Sequence, residues 1–362
     1  MSKTALKVGI INAGAWGTAI GKILAEKHIP VQMWDFRDDV VNEINANRTN
    51  SRYLFGVNLP SGITASTDIN SVTDGKDYLL IATPSLYISD IAEKISSVPG
   101  IRNGKTKIGI LTKGFISTQS KPLLLTEHLE KILPESYKNN LVYISGPSHA
   151  EEVARGKLTG LISASENKKN SIRFRNLLQG STLIVFSSFD VIGVQVSAAV
   201  KNIIAIACGM LDALKELSEL FGDNTESLLI AAGLNEIQLI GQTMGSTYPE
   251  TFTFIAGVGD LDVTCRSKYG RNRRFGKEII LDRIIDRYSN LEELIANIDE
   301  IGYLPEGVMA CKNIKAYSKQ KDLWLPISDA VYEILNKEAE PFQAVNNMLN
   351  RISGRNKLAK GI

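Results

Sequence analysis

Three cysteines and three histidines are all that 362 residues contain of the side chains that most often staple a fold or hold a transition metal. Cys208, Cys265 and Cys311 are odd in number and far apart, which argues against a disulfide framework or a CxxC pair and points to a reducing, cytoplasmic setting. His28, His128 and His149 are too widely spaced for a helical HExxH zinc site, so no metal centre is expected. A dominant charge is missing too. The 41 Lys and Arg against 39 Asp and Glu leave +2, too little to steer the chain globally onto nucleic acid or an anionic membrane. No repeat, low-complexity tract or Pro/Gly/Ser-rich linker stands out, and the residues before the first apolar run lack the long apolar core of an export signal. The stretch 191–211 is the most membrane-like, but Lys201 at its centre would cost roughly 2.5–3.5 kcal/mol in a bilayer, so a buried helix without membrane insertion is expected.

What is present divides in two. From residue 7 to about 190, short apolar runs alternate with longer helical patterns, the mark of βα units around a parallel sheet. Strands are expected at 7–11, 31–34, 78–82, 107–111, 141–144, 160–163 and 183–186, with 47–60 a polar loop. Beyond residue 190 the apolar period becomes helical, through 228–243, 278–286, 291–298 and 328–335. The length suits two domains, divided here into 1–193 and 194–362.

The segment Lys7-Val-Gly-Ile-Ile-Asn-Ala-Gly-Ala-Trp-Gly-Thr-Ala reads as strand, tight turn and helix, with Gly14 and Gly17 at the second and third glycines of GxGxxG. Asn12 stands at the first, and asparagine tolerates unusual turn torsions best after glycine. Gly14 lets backbone approach a pyrophosphate, Gly17 lets helix pack on strand, and the helix N-terminus offers amides to anionic oxygens. Asp35 ends the second strand, 18 residues after Gly17, where an acid accepts hydrogen bonds from an adenosine ribose; Arg37 instead suits a 2′-phosphate. NAD and NADP both stay open on these two residues. The fold class is therefore α/β, a Rossmann-like N-terminal dinucleotide-binding domain with an all-α C-terminal domain.

Three later strand ends collect small and polar residues: Ala82-Thr-Pro-Ser, Leu111-Thr-Lys-Gly and Ser145-Gly-Pro-Ser-His-Ala. In a doubly wound sheet such ends line the ligand crevice, and Lys113 would place a cation there. Lys201 is the only formally charged residue in the apolar helix, and partial burial would lower its pKa toward the range of a general acid or base. The same pattern also suits a lysine whose stem packs while its head reaches water. Between Arg266 and Lys277 lie six cations and no acid, leaving −4 on the rest of the chain; the Gly270-Arg-Asn turn suits a discrete phosphate, while the bland alternative is a solvated surface turn.

Taken in order, Asn12-Ala-Gly-Ala-Trp-Gly, Thr112-Lys-Gly, Ser145-Gly-Pro-Ser, Val200-Lys-Asn-Ile-Ile, Gly222-Asp-Asn, Gly257-Val-Gly-Asp-Leu, Gly270-Arg-Asn-Arg-Arg-Phe-Gly and Leu304-Pro-Glu-Gly cover nearly the whole chain. The chain resembles the bacterial form of NAD(P)-dependent sn-glycerol-3-phosphate dehydrogenase. The resemblance implies hydride transfer between NAD or NADP and C2 of a small-molecule substrate, the pair dihydroxyacetone phosphate and glycerol 3-phosphate, a glycerophospholipid precursor. It makes Lys201 the proton acceptor or donor, and Lys113, Gly146, Ser148, Asp260, Gly270, Arg271 and Asn272 substrate contacts, with Arg271 and Asn272 on the phosphate. It adds Ala15, Trp16, Arg37, Lys113, Ala150, Arg271, Leu304 and Glu306 to the cofactor side, and implies a homodimer with no nucleic-acid partner. Two departures stand out: Asn12 replaces the first glycine, and Glu226 stands where relatives usually carry lysine. A related two-domain dehydrogenase for hydroxy acids and an inactive dinucleotide sensor are the competing readings.

Overall fold

The computed structural model describes residues 6–117, 122–267 and 269–354; Lys268, one of the six cations counted between Arg266 and Lys277, lies outside them. Two compact units result. One comprises residues up to Lys113 with Leu124–Gln195; the other comprises Gly114–Leu123 and Val196 onward. Along the chain the two units change over at 113/114, 123/124 and 195/196, the last inside one continuous helix. Apolar periodicity marks no change of unit at the short segment 114–123, which is apolar only at its ends. Its ends are joined by an antiparallel bridge between Ile116 and Leu123.

The first unit is built on one eight-stranded sheet: β1 Val8–Ile11, β2 Val31–Trp34, β3 Ile63–Ser66, β4 Tyr78–Ile81, β5 Lys107–Ile110, β6 Val142–Ser145, β7 Thr159–Ala164 and β8 Leu183–Ser188. Their order is β3-β2-β1-β4-β5-β6-β7-β8. Val8 registers with Val31 on one side and with Tyr78 on the other, both parallel. The chain therefore reverses its direction of growth at β1, and the crevice beyond the ends of β1 and β4 is where an open α/β sheet receives a ligand. All four residues of β1 are buried, as a parallel strand covered on both faces requires. Ile10, Met33, Leu80, Val142 and Phe174 share its core.

Two features depart from the sequence reading. The edge strand β3 was placed in no element: its Ile-Thr-Ala-Ser alternates buried and partly exposed positions, a four-residue signal that resembles the polar loop before it. The sheet is also not wholly parallel, because β6 and β7 pair antiparallel, Tyr143 opposite Ala164. With β8 parallel to β7, the carboxyl ends of both lie at the opposite end of the sheet's strands from the glycine turn. The loops after β1 to β6, Asp35 beyond β2 included, share its end.

In the second unit every regular element among the described residues is helical. Its spine is the lysine helix, Val191–Leu217, followed by Asp223–Thr243, Asp260–Arg266, the arginine helix Arg271–Leu281, Leu291–Ala296, the glutamate helix Glu306–Lys321, Pro326–Leu335 and Pro341–Gly354. The lysine helix is long and apolar enough by composition to cross a bilayer, but 94% of its most apolar window is buried in the protein. Ile203, Ile204, Leu261, Phe275, Val308 and Ile314 fill the core.

Candidate active site

The turn after β1 is held by its own asparagine. Asn12 has φ +80°, the left-handed region that its short polar side chain tolerates, and its Oδ1 accepts from the backbone amide of Gly14 at 2.8 Å. Trp34 O accepts from the amides of Asn12 and Ala13 at 2.9 and 3.0 Å. A Cβ on Gly17 would lie 2.2 Å from the backbone oxygen of Asn12, so the helix Ala15–Glu26 reaches β1 only without a side chain there. Gly14 caps that helix and Ala15 opens it. Asn50, from the loop read as merely polar, is buried and donates to Ala13 O at 2.7 Å and Thr18 Oγ1 at 2.8 Å. Nothing in a lone asparagine of a polar loop distinguishes this brace.

Asp35 is buried. Its Oδ1 accepts from the Arg37 amide at 3.1 Å, while Oδ2 has no hydrogen-bond partner. Burial pushes its carboxyl above the usual range, partly offset by that backbone amide. Buried Nε atoms of Trp16 (Nε1) and Arg37 are likewise without partners, and the Arg37 guanidinium lies 4.9 Å from the Phe36 ring. Three unsatisfied polar atoms beside a glycine turn fit a dinucleotide, which supplies the acceptors and donors they lack.

The remaining loops at this end of the sheet are linked by hydrogen bonds. Thr112 Oγ1 donates to Thr83 O at 2.6 Å, and Lys113 Nζ to Gly146 O at 3.4 Å. Ser148 Oγ donates to the same oxygen at 2.9 Å. Gly146, at φ +135°, adopts a conformation closed to other residues, and this bend brings Lys113, Gly146 and Ser148 together. Ala150 opens the short helix Ala150–Ala154 immediately beyond. Tyr53 is half-buried against the unit's core.

In the second unit Lys201 is 5% exposed and its Nζ bonds Oδ1 of Asp260, itself fully buried. The apolar helix alone would favour the neutral amine, but a bonded carboxylate favours the ammonium, so the sequence argument from burial omitted the group that opposes it. Asp260 is set by a π-helical turn, Ile255–Gly259, where a Cβ on Gly257 would lie 2.0 Å from Phe252 O. Thr264 Oγ1 donates to Asp260 O at 2.6 Å. Next to Lys201, the Asn202 side-chain oxygen accepts from Asn272 Nδ2 at 3.0 Å, and Asn272 Oδ1 accepts from the Gly307 amide at 2.9 Å. Asn202 was not singled out from the sequence; an asparagine beside a lysine in an apolar helix was the available signal. Glu306 opens the glutamate helix beside Gly307, and Leu304 is half-buried just before it.

The arginine-rich turn is corrected to the start of a helix. Gly270 is its cap and Arg271 its first residue, because the Arg-Asn-Arg-Arg-Phe-Gly run buries Asn272, Phe275, Gly276 and Ile279 on one face. Nor is the cluster an unneutralised +6. Arg266 pairs with Asp262, Arg273 with Asp212, Arg274 with Glu278 and Lys277 with Glu216. Arg271 is exposed and has no ion-pair or hydrogen-bond partner among the described residues. Its guanidinium, at a helix N-terminus, is the one described cation of this segment left available to an anion. Glu226, the charge-reversed position, is buried and bonded at 2.6 Å to Lys215, which also reaches Asp223 at 3.3 Å, so its charge is answered from the lysine helix.

Sequence profiles described as NAD-dependent glycerol-3-phosphate dehydrogenase N-terminus and C-terminus match residues 7–171 and 190–346. The chain belongs to the NAD-dependent glycerol-3-phosphate dehydrogenase family. Among its relatives, the glycerol-3-phosphate dehydrogenase [NAD(P)+] of Treponema denticola is 51% identical over 349 residues, 95% of this chain and 98% of that protein. The Clostridium perfringens protein of the same name is 34% identical over 345 residues, 95% of this chain and 97% of its own. The crystal structure of glycerol-3-phosphate dehydrogenase from Coxiella burnetii superposes with a TM-score of 0.82 at 32% identity, covering 96% of this chain and 99% of that one. In family terms, Lys201, Asp260, Arg271 and Asn272 stand on the motifs that carried the resemblance.

Proposed function

We propose that the chain reduces dihydroxyacetone phosphate to sn-glycerol 3-phosphate, and catalyses the reverse, as an NAD(P)-dependent oxidoreductase supplying a glycerophospholipid precursor. The observation that carries this reading is the buried Lys201–Asp260 pair, whose neighbour Asn202 is bonded to Asn272, the residue beside an uncommitted Arg271. The nicotinamide cofactor, NAD or NADP, supplies or takes up the hydride when bound. Everything else falls to the chain's own residues.

In reduction the Lys201 ammonium donates a proton to the C2 carbonyl oxygen as that oxygen gains negative charge, and Asp260 holds the ammonium in place. In oxidation the neutral amine accepts the C2 hydroxyl proton. Arg271 grips the phosphate with paired N–H donors at the helix N-terminus, and Asn272 assists from the first turn. Lys113, Gly146 and Ser148 contact substrate, and Gly270 gives the loop its close approach. Asn12, Gly14, Ala15, Trp16, Gly17, Asp35, Arg37, Lys113, Ala150, Arg271, Leu304 and Glu306 contact the dinucleotide. We assign cofactor binding to domain 1–193 and substrate chemistry to domain 194–362, and infer a cytoplasmic homodimer that neither inserts into membrane nor binds nucleic acid.

The test is direct. Purified protein is given NADH or NADPH at matched concentrations with dihydroxyacetone phosphate, unphosphorylated dihydroxyacetone, or a panel of 2-oxo acids. Cofactor oxidation that requires dihydroxyacetone phosphate supports the proposal. Turnover of an oxo acid instead, or cofactor binding with no turnover on any substrate, overturns it.

A further inference from the structure

The arginine helix meets the lysine helix backbone to backbone. A Cβ on Gly209 would lie 1.9 Å from Arg273 O, and one on Gly276 would lie 2.0 Å from Ile206 O. The glutamate helix approaches likewise, since a Cβ on Gly307 would lie 2.6 Å from Asn202 O. Contacts therefore follow one stripe of the lysine helix, at 202, 206 and 209. Smooth backbone contact fixes how near two helices lie, but only weakly how far one slides or rotates along the other.

Beside the single Asn272–Asn202 bond, a stronger directional element comes one turn further on. Arg273 forks onto Asp212, with Nε on Oδ2 and Nη2 on Oδ1 at 2.8 Å. Two parallel bonds in one plane restrict both rotation and translation, which a single point-charge contact does not. A second rung, Lys277 to Glu216 at 2.6 Å, continues the ladder but is about twice as exposed, 42% and 54% against 22% and 20%. Arg273 is in the first turn of its helix, two residues beyond Arg271 and next to Asn272.

We propose that Asp212 is a positioning residue for the reaction: through Arg273 it holds the first turn of the arginine helix in register with Lys201, and so sets affinity for the phosphate of the substrate. The inference rests on the reading of Arg271 as the phosphate ligand. A rival role, in which Arg273 merely adds positive field, predicts the opposite sign, because neutralising Asp212 would then release a cation to attract the substrate.

The experiment measures kcat and KM for dihydroxyacetone phosphate at saturating cofactor in Asp212→Asn, Asp212→Glu, Arg273→Lys, Glu216→Gln and Arg271→Ala. Asp212→Asn is expected to raise KM about tenfold, the size of one lost charge-assisted bond, with kcat within about twofold. Asp212→Glu should recover most of the affinity, and Glu216→Gln should stay within about twofold in both constants. If Asp212→Asn does not fold, Arg273→Lys replaces it, since it keeps the charge and loses the fork, and should raise KM in the same direction. An unchanged or lowered KM, or a loss in kcat alone, overturns the positioning role while Arg271→Ala still raises KM. If Arg271→Ala leaves KM unchanged, the phosphate reading itself falls and the inference with it.

Discussion

The side-chain amide of Asn272 donates to the side-chain oxygen of Asn202 at 3.0 Å, so the residue after Arg271 is bonded to the residue after Lys201. Asn272 then accepts from the Gly307 amide, which ties in the start of the glutamate helix. Both asparagines are buried, where an amide pair is worth most if every partner stays in place. Three helix segments expected to meet cofactor or substrate are thus referenced to one another by two bonds, and not by general packing alone.

Lys201→Ala should abolish turnover while cofactor affinity changes little. Removing a general acid or base alone typically costs about 10²–10⁴ in rate, and truncation here also strands the buried Asp260 carboxylate. Single-turnover kinetics with fluorescence titration of the reduced cofactor separate the two effects. Activity within tenfold of the unmodified protein would remove Lys201 from the proton-transfer role.

Arg271→Ala should weaken use of the phosphorylated substrate specifically. A charge-assisted fork of roughly 1.5–3 kcal/mol corresponds to about a 10- to 150-fold loss in kcat/KM for dihydroxyacetone phosphate. The same substitution should leave the slow reduction of unphosphorylated dihydroxyacetone almost unchanged. Equal losses on both substrates would place Arg271 elsewhere in the mechanism.

Asn12 supports a stability prediction with a built-in contrast. At φ +80° alanine carries a strain of about 1–2 kcal/mol and also loses the bond to the Gly14 amide, whereas glycine loses the bond without strain. Asn12→Ala should therefore lower the denaturation midpoint by more than Asn12→Gly, measured in urea. Identical midpoints would show that the left-handed turn carries no such strain.

How far the sequence foretold these arrangements depends on the range of the interaction. Asn12, Gly14 and Gly17 were legible because a turn and its helix are local, and the structure gives each its conformational reason. Every strand except β3 was legible for a similar reason, since most of them are short apolar runs, whereas Ile63–Ser66 is four residues with exposed or half-buried alternate positions. Asp212–Arg273 and Asn202–Asn272 were not, because partners about 60 and 70 residues apart leave no periodic signal. The charge of the arginine helix was misread for a related cause: Arg273 and Lys277 pair with acids 61 residues away, while Arg266 and Arg274 pair with acids just outside the twelve-residue window.

Glu236 allows a pH prediction whose sign can be worked out. It is buried and accepts from the amides of Ile327 and Ser328 at 2.5 and 3.1 Å and from Ser328 Oγ at 2.6 Å, closing the N-terminus of the helix Pro326–Leu335. Burial pushes its carboxyl from the ordinary 4.5 to about 7, although those three bonds pull the other way. Between these two values the folded protein holds a proton that the unfolded chain has released, so stability falls as pH rises from about 4.5 to 7. The full effect of a shift of about 2.5 pH units is of order 3 kcal/mol. Glu236→Gln cannot ionise, and the difference in unfolding free energy between it and the parent protein isolates this group from every other titration. That difference should shift in favour of the glutamine variant as pH rises from 5 to 7.5. A difference independent of pH over that interval would mean that Glu236 is already ionised at the lower end, with the three hydrogen bonds outweighing its burial.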